Sequence, residues 1–119
     1  MAEYDIKLDQ GSDFLIPFVL KDSAKKPINL TGYKVAMQIR KSATSAEAVD
    51  TLTTENGRID VVPLEGRIVL KFPHSVTESI SASTYVYDVE IISADDRITR
   101  ILRGRVYVSA EVTRVNSKQ

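Results

Sequence analysis

The chain has 119 residues, 43% hydrophobic and 27% charged, which gives room for one core of β-sandwich size and none for a second, and excludes the low hydrophobicity of disordered chains. Sixteen Lys and Arg offset sixteen Asp and Glu, so no net field draws the molecule onto nucleic acid or an anionic membrane, and any partner must be recognised locally. With no cysteine, disulfides, thiolate metal sites and thiol nucleophiles are excluded, and stability must come from packing and strand pairing.

No stretch approaches the roughly 18 apolar residues of a membrane helix. The start MAEYDIKLDQ lacks the basic and apolar regions of a signal peptide, so synthesis in the cytoplasm and no membrane contact are expected. The expected organisation is a single domain over 1–119 with an ordered core from about 4 to 114, the segments Met1–Glu3 and Asn116–Gln119 being loose.

Alternation of period two runs through the chain, the mark of strands with one buried and one wet face. Phe14, Ile16, Phe18 and Leu20 share one face of the first long strand, and Pro17 on the other makes it an edge strand. The sequon Asn29-Leu30-Thr31 reads as a turn. From Tyr33 to Arg40, Val35, Met37 and Ile39 point one way, Lys34, Gln38 and Arg40 the other.

Asn56-Gly57, between Leu52-Thr53-Thr54 and Ile59-Asp60-Val61, predicts a type I′ hairpin with Leu52 opposite Val61. Ile68, Leu70 and Phe72 form the next buried row. Ser75 and Glu78 have capping-box spacing, which predicts a short crossover helix near 74–80. A hairpin with Asp95-Asp96 at its tip pairs Val89 with Leu102 and Asp88 with Arg103 and lays Tyr87 over Gly104, keeping apolar residues on one face and opposite charges on the other. The count is roughly seven to nine strands, and the fold class is all-β, a single Greek-key sandwich.

Chemistry-bearing residues are few. His74 is the sole histidine; with Glu78 it has the spacing of two metal ligands, which is half a site, and a surface or capping role outweighs it. Asp95-Asp96 could form a calcium corner but reads better as a turn. Asp5, Asp9 and Asp13 read as solubilising charge along an exposed edge.

Arg97, Arg100, Arg103, Arg105 and Arg114 raise a nucleic-acid ligand, yet Asp88 and Glu90 lie on the neighbouring strand, so nucleic acid is disfavoured against an ion ladder or a protein interface. The candidate interface residues are Ile101, Arg103, Arg105 and Tyr107, expected to lie exposed together on one face. Tyr85 and Tyr87 could stack on a sugar but alternate with charge and so belong to the core, where one can make a tyrosine-corner bond. No nucleophile elbow, phosphate loop or dinucleotide fingerprint is present, so no enzyme activity and no cofactor are expected.

Several phrases form a set: Gln10-Gly11 before an apolar strand, Pro27 to Tyr33 leading into Val35–Arg40, Leu52 to Ile59, Tyr85 to Glu90, and Gly104 to Thr113. Together they resemble small immunoglobulin-like virion proteins of tailed phages and prophages, similar to the N-terminal domain of an upper baseplate protein. The resemblance implies a non-enzymatic structural or adaptor component of tail or baseplate, located in the virion, a homo-oligomer that contacts other phage virion proteins. A carbohydrate-binding module or a capsid decoration protein is the alternative.

Overall fold

The computed structural model describes residues 2–113. Its strands are β1 (Ala2–Glu3), β2 (Ile6–Asp9), β3 (Phe14–Val19), β4 (Lys34–Arg40), β5 (Asp50–Thr53), β6 (Ile59–Val62), β7 (Arg67–Phe72), β8 (Ser83–Ile92) and β9 (Ile98–Ser109), with a 3-10 turn at Pro63–Glu65 and one short helix, α1 (His74–Thr77). They form two sheets. The larger runs β1-β9-β8-β4-β5, with β2 also on β9, and the smaller runs β3-β7-β6. This is an all-β sandwich of two sheets, as the alternation predicted.

The rhythm of the sequence builds the core directly. Val35, Met37 and Ile39 of β4 face Ile91, Val89 and Tyr87 of β8 across their register, and Leu102, Val106 and Val108 of β9 extend the same buried face. Ile59, Ile68, Leu70 and Phe72 close the layer from the smaller sheet. Each fully buried side chain of this kind is worth about 1.5–3 kcal/mol over an exposed one. On β3, Phe14, Ile16 and Phe18 are only half-buried, because β3 is an edge strand with nothing beyond it. Pro17 confirms the reading of that edge. The Leu20 amide points to β7, bonding Gly66 O at 2.8 Å, so by alternation the position of Pro17 faces outward and its missing N–H costs no rung.

The last hairpin holds the expected register at Tyr87–Gly104, Asp88–Arg103 and Val89–Leu102, then shifts by one at a bulge, pairing Glu90 with Arg100. Asp96, at φ +65°, completes a three-residue tip, and the bulge absorbs the odd residue. As a result Ile101 packs half-buried against the core instead of standing exposed beside Arg103.

The Asn56-Gly57 expectation is corrected more deeply. Leu52 pairs with Met37 and Val61 with Ile68, so β5 and β6 lie in different sheets and the turn carries the chain across the sandwich. Gly57 has positive φ and Asn56 does not, which rules out type I′. The Asn56 side chain organises the crossing, accepting from the Thr53 and Arg58 amides at 3.0 and 2.9 Å. Both Leu52 and Ile59 then reach the interior from opposite layers.

The crossover helix is present, but no capping box starts it. Asp13, from the segment before β3, accepts the His74 amide at 2.6 Å. Thr77, fully buried, accepts from the Gly11 amide at 3.0 Å and donates to the Ser12 carbonyl at 2.9 Å, so this buried polar side chain is satisfied. Beyond the helix, the Tyr85 hydroxyl donates to Ser81 O at 2.6 Å, the tyrosine corner of the sandwich. The sequon is a turn, in which the Asn29 side chain accepts the Thr31 amide at 3.0 Å.

At the other end of the chain, Ala2–Glu3 is paired with β9 rather than loose. Asn116–Gln119 and Arg114 lie outside the described residues.

Candidate interaction face

The outer face of the larger sheet is an open concavity of about 920 Å³. Its floor is strand: Ala36 and Gln38 of β4, Thr51 and Thr53 of β5, Val86, Asp88 and Glu90 of β8, and Arg100, Arg103 and Arg105 of β9. Glu3 and Asp5 border it on the β9 side and Ala43 on the other. Alternation explains the floor, since each of its strand residues precedes or follows a side chain turned toward the core.

Charges of both signs converge here. The Arg100 Nε lies 3.2 Å from Asp88 Oδ2, and the Arg103 guanidinium 3.5 Å from Glu3 Oε2. Asp88 thus bonds diagonally to Arg100, although Arg103 is its direct cross-strand neighbour. Tyr107, whose side chain bonds Arg105, and the nearby Asp5 raise the Arg105 pKa above its ordinary value. Arg40 donates to Gln38 Oε1 at 2.7 Å and Ser45 O at 2.8 Å, which pins the segment between β4 and β5 against the rim. Exposed pairs of this kind add little stability, about 0–1 kcal/mol each, so the face is arranged more than it is stabilised by them.

Of the residues singled out from sequence, Arg103 and Arg105 stand exposed on this face, Tyr107 lies half-buried farther along the same strand, and Ile101 is withdrawn by the bulge. Arg40, Gln38 and Thr51 were not singled out. Their outward phase on β4 and β5 was readable, but not that both strands flank β8. Asp50 and Arg58, the least exposed ion pair among the described residues, were also missed, because their partnership depends on the crossing between sheets.

The other candidates lie elsewhere. His74 Nδ1 is 3.1 Å from Asp13 Oδ1, at the end of the sandwich that holds α1. Hydrogen bonds from the His74 amide and then its ring hold the Asp13 carboxyl below its ordinary pKa. Among the described residues no group of three or more His, Asp or Glu could hold a metal ion. Asp95 accepts from the Ser93 hydroxyl within the hairpin tip. Asp5 and Asp9 do more than solubilise the edge: Asp5 accepts the Arg105 amide at 3.0 Å, and Asp9 the Ser109 hydroxyl at 2.6 Å.

No family model matches the chain, and no curated protein matches it. Among solved structures it is similar to CopC from Methylosinus trichosporium OB3b, at 11% identity, over 97% of this chain and 91% of that one, with a TM-score of 0.49. Nothing about ligands follows from so distant a likeness. The expectation of a tailed-phage virion component is corrected here, and its alternatives, a carbohydrate-binding module or a capsid decoration protein, gain no support: no family or curated match supplies a phage protein, and the solved structure named above is not one.

Proposed function

We propose that the chain is a non-enzymatic binding module that holds a protein partner against the outer face of its larger sheet. The observation behind this reading is the convergence of Arg100, Arg103 and Arg105 with Asp88 and Glu90 on one concave floor. The concavity is open to solvent, and its alternating charge suits a polypeptide surface that carries both signs. An extended polyanion would meet Glu90 beside Arg100 and Asp88 beside Arg103. The histidine and its acidic neighbour are engaged in starting a helix, away from the concavity.

The test is affinity capture from an extract of the cells that make the protein, with the native chain and with Arg103→Glu plus Arg105→Glu at equal folded concentration. A protein retained by the native chain, released by moderate salt and lost from the variant is the expected result. Capture unchanged by the two substitutions, no capture at all, or a turnover abolished by His74→Ala would overturn the proposal.

A further inference from the structure

The charges of the concave face are not evenly matched along its strands. Across the middle, Gln38 of β4, Asp88 of β8 and Arg103 of β9 stand in one register row. Both charges of that row are answered from within the chain, Arg103 by Glu3 at 3.5 Å and Asp88 by Arg100 at 3.2 Å. The rows on either side are different.

Toward the end of β4, Arg40, Val86 and Arg105 are neighbours across the three strands, so two arginines flank a valine with their backbones roughly 10 Å apart. Arg40 donates to two neutral oxygens, Gln38 Oε1 and Ser45 O, and the Tyr107 side chain bonds Arg105. Asp5, the nearest acid, is turned to the Arg105 amide at 3.0 Å. Among the described residues neither guanidinium forms an ion pair. The two cations are held in place but not neutralised, and each keeps N–H donors to spare. Val86, short and half-buried, leaves room above it for a side chain to reach them.

In the other direction Glu90 stands between Ala36 and Arg100. Arg100 is committed to Asp88, and Lys34, the next outward residue of β4, pairs with Glu55 at 3.5 Å. Glu90 therefore forms no ion pair among the described residues. Val86 and Glu90 are four residues apart on β8, which separates the basic end of the floor from its acidic end by roughly 14 Å. A partner charged with one sign is drawn to one end and repelled at the other. A partner with an acidic and a basic side chain at that separation is drawn to both.

We infer that the concave face fixes the orientation of its partner: a polypeptide that brings a carboxylate side chain to Arg40 and Arg105 and a lysine or arginine to Glu90, about four extended residues away. This rests on the reading of the face as a protein-binding surface and names the charge pattern that such a protein must carry.

The test uses the full chain, labelled with nitrogen-15, and two synthetic peptides of identical composition. In acetyl-Glu-Thr-Val-Thr-Lys-amide the charges are spaced to reach both ends of the floor; in acetyl-Thr-Glu-Lys-Val-Thr-amide they are adjacent. The spaced peptide is expected to bind about threefold or more tighter, because the adjacent one can engage one end at a time. It is also expected to move the Arg40 and Arg105 side-chain signals further than those of Arg100 and Arg103, and to lose its advantage in Arg105→Gln and, separately, in Glu90→Gln, with circular dichroism confirming the native fold. If one variant fails to fold, the other decides. Equal affinity of the two peptides, equal movement of all four arginines, no binding, or inorganic phosphate moving Arg40 and Arg105 at lower concentration than the spaced peptide would each overturn the inference. If cell extract yields no protein sensitive to Arg103→Glu plus Arg105→Glu while the spaced peptide keeps its advantage, the partner reading fails and the polarity stands. A captured partner together with peptides that bind alike removes the polarity alone.

Discussion

Asp50 and Arg58 form a two-pronged ion pair across the gap between the sheets, with Nη1–Oδ1 at 3.1 Å and Nη2–Oδ2 at 2.7 Å. Asp50 belongs to β5 in the larger sheet, whereas Arg58 leads into β6 in the smaller one. The same guanidinium donates from Nε to Lys71 O at 2.8 Å and lies 5.7 Å from the centre of the Phe72 ring. With side chains only 18% and 12% exposed, loss of one partner leaves a charge with little water to replace it. Arg58→Ala is expected to destabilise by about 2–3 kcal/mol, and Arg58→Met with Asp50→Leu by less than the sum of the singles. A double-mutant cycle by urea unfolding measures both; additive losses would refute the coupling.

Gly104 is required by another strand. A β-carbon at this position would overlap the Tyr4 carbonyl oxygen, which accepts the Tyr87 hydroxyl at 2.5 Å. Gly104→Ala is therefore expected to displace Tyr4 and cost about 2–4 kcal/mol, more than the roughly 1 kcal/mol for Tyr87→Phe, which removes only the hydrogen bond. Amide exchange would show faster loss of protection at Tyr4 and Arg105 in the alanine variant. Equal costs for the two variants would contradict the steric account.

Burial, then the carboxylate of Asp5, pushes the Tyr87 phenol well above its ordinary pKa. A raised folded pKa stabilises the protein below the unfolded value of about 10, and that contribution is lost as pH rises further, because the unfolded chain releases the proton first. Stability is thus expected to fall above about pH 10, with a shallower decline in Tyr87→Phe. Thermal melts from pH 8 to 12 provide the measurement.

Asp13 gives the opposite sign. Its lowered pKa stabilises the protein above the unfolded value of about 3.9, and that contribution is lost as pH falls through the folded value. Asp13→Asn is expected to flatten the acid limb below about pH 4 and leave the alkaline limb unchanged. A variant whose acid limb matches the native one would dismiss the carboxylate as a cap.

Where side chains alternate strictly, as on β4 and β8, the sequence specifies face, neighbours and even register, because a one-residue slip would turn the core outward. The pairing of Tyr87 with Gly104 was legible for that reason. Asn56-Gly57 was misread because turn chemistry reports a change of direction and not which sheet receives the next strand; that depends on β4 and β7 claiming β5 and β6 separately. The bulge that withdraws Ile101 was hidden for a similar reason, since it follows from Asp96 lengthening the tip. Arg103 and Arg105 could be placed on an exposed face from phase alone. The concavity they share with Gln38 and Thr51 required the strand order.

The parallel ladder of β1 and β2 on β9 has a mechanical meaning. Ala2 lies beside Leu102 and Asp9 beside Ser109, so tension between Ala2 and Ser109 pulls the two strands in opposite directions along their axes. Every rung is then loaded together, as in a lap joint, instead of one after another as in a zipper. A molecule held at those two points should yield in one high-force event, and the weak place in the joint is the break at Tyr4 and Asp5 that Gly104 accommodates.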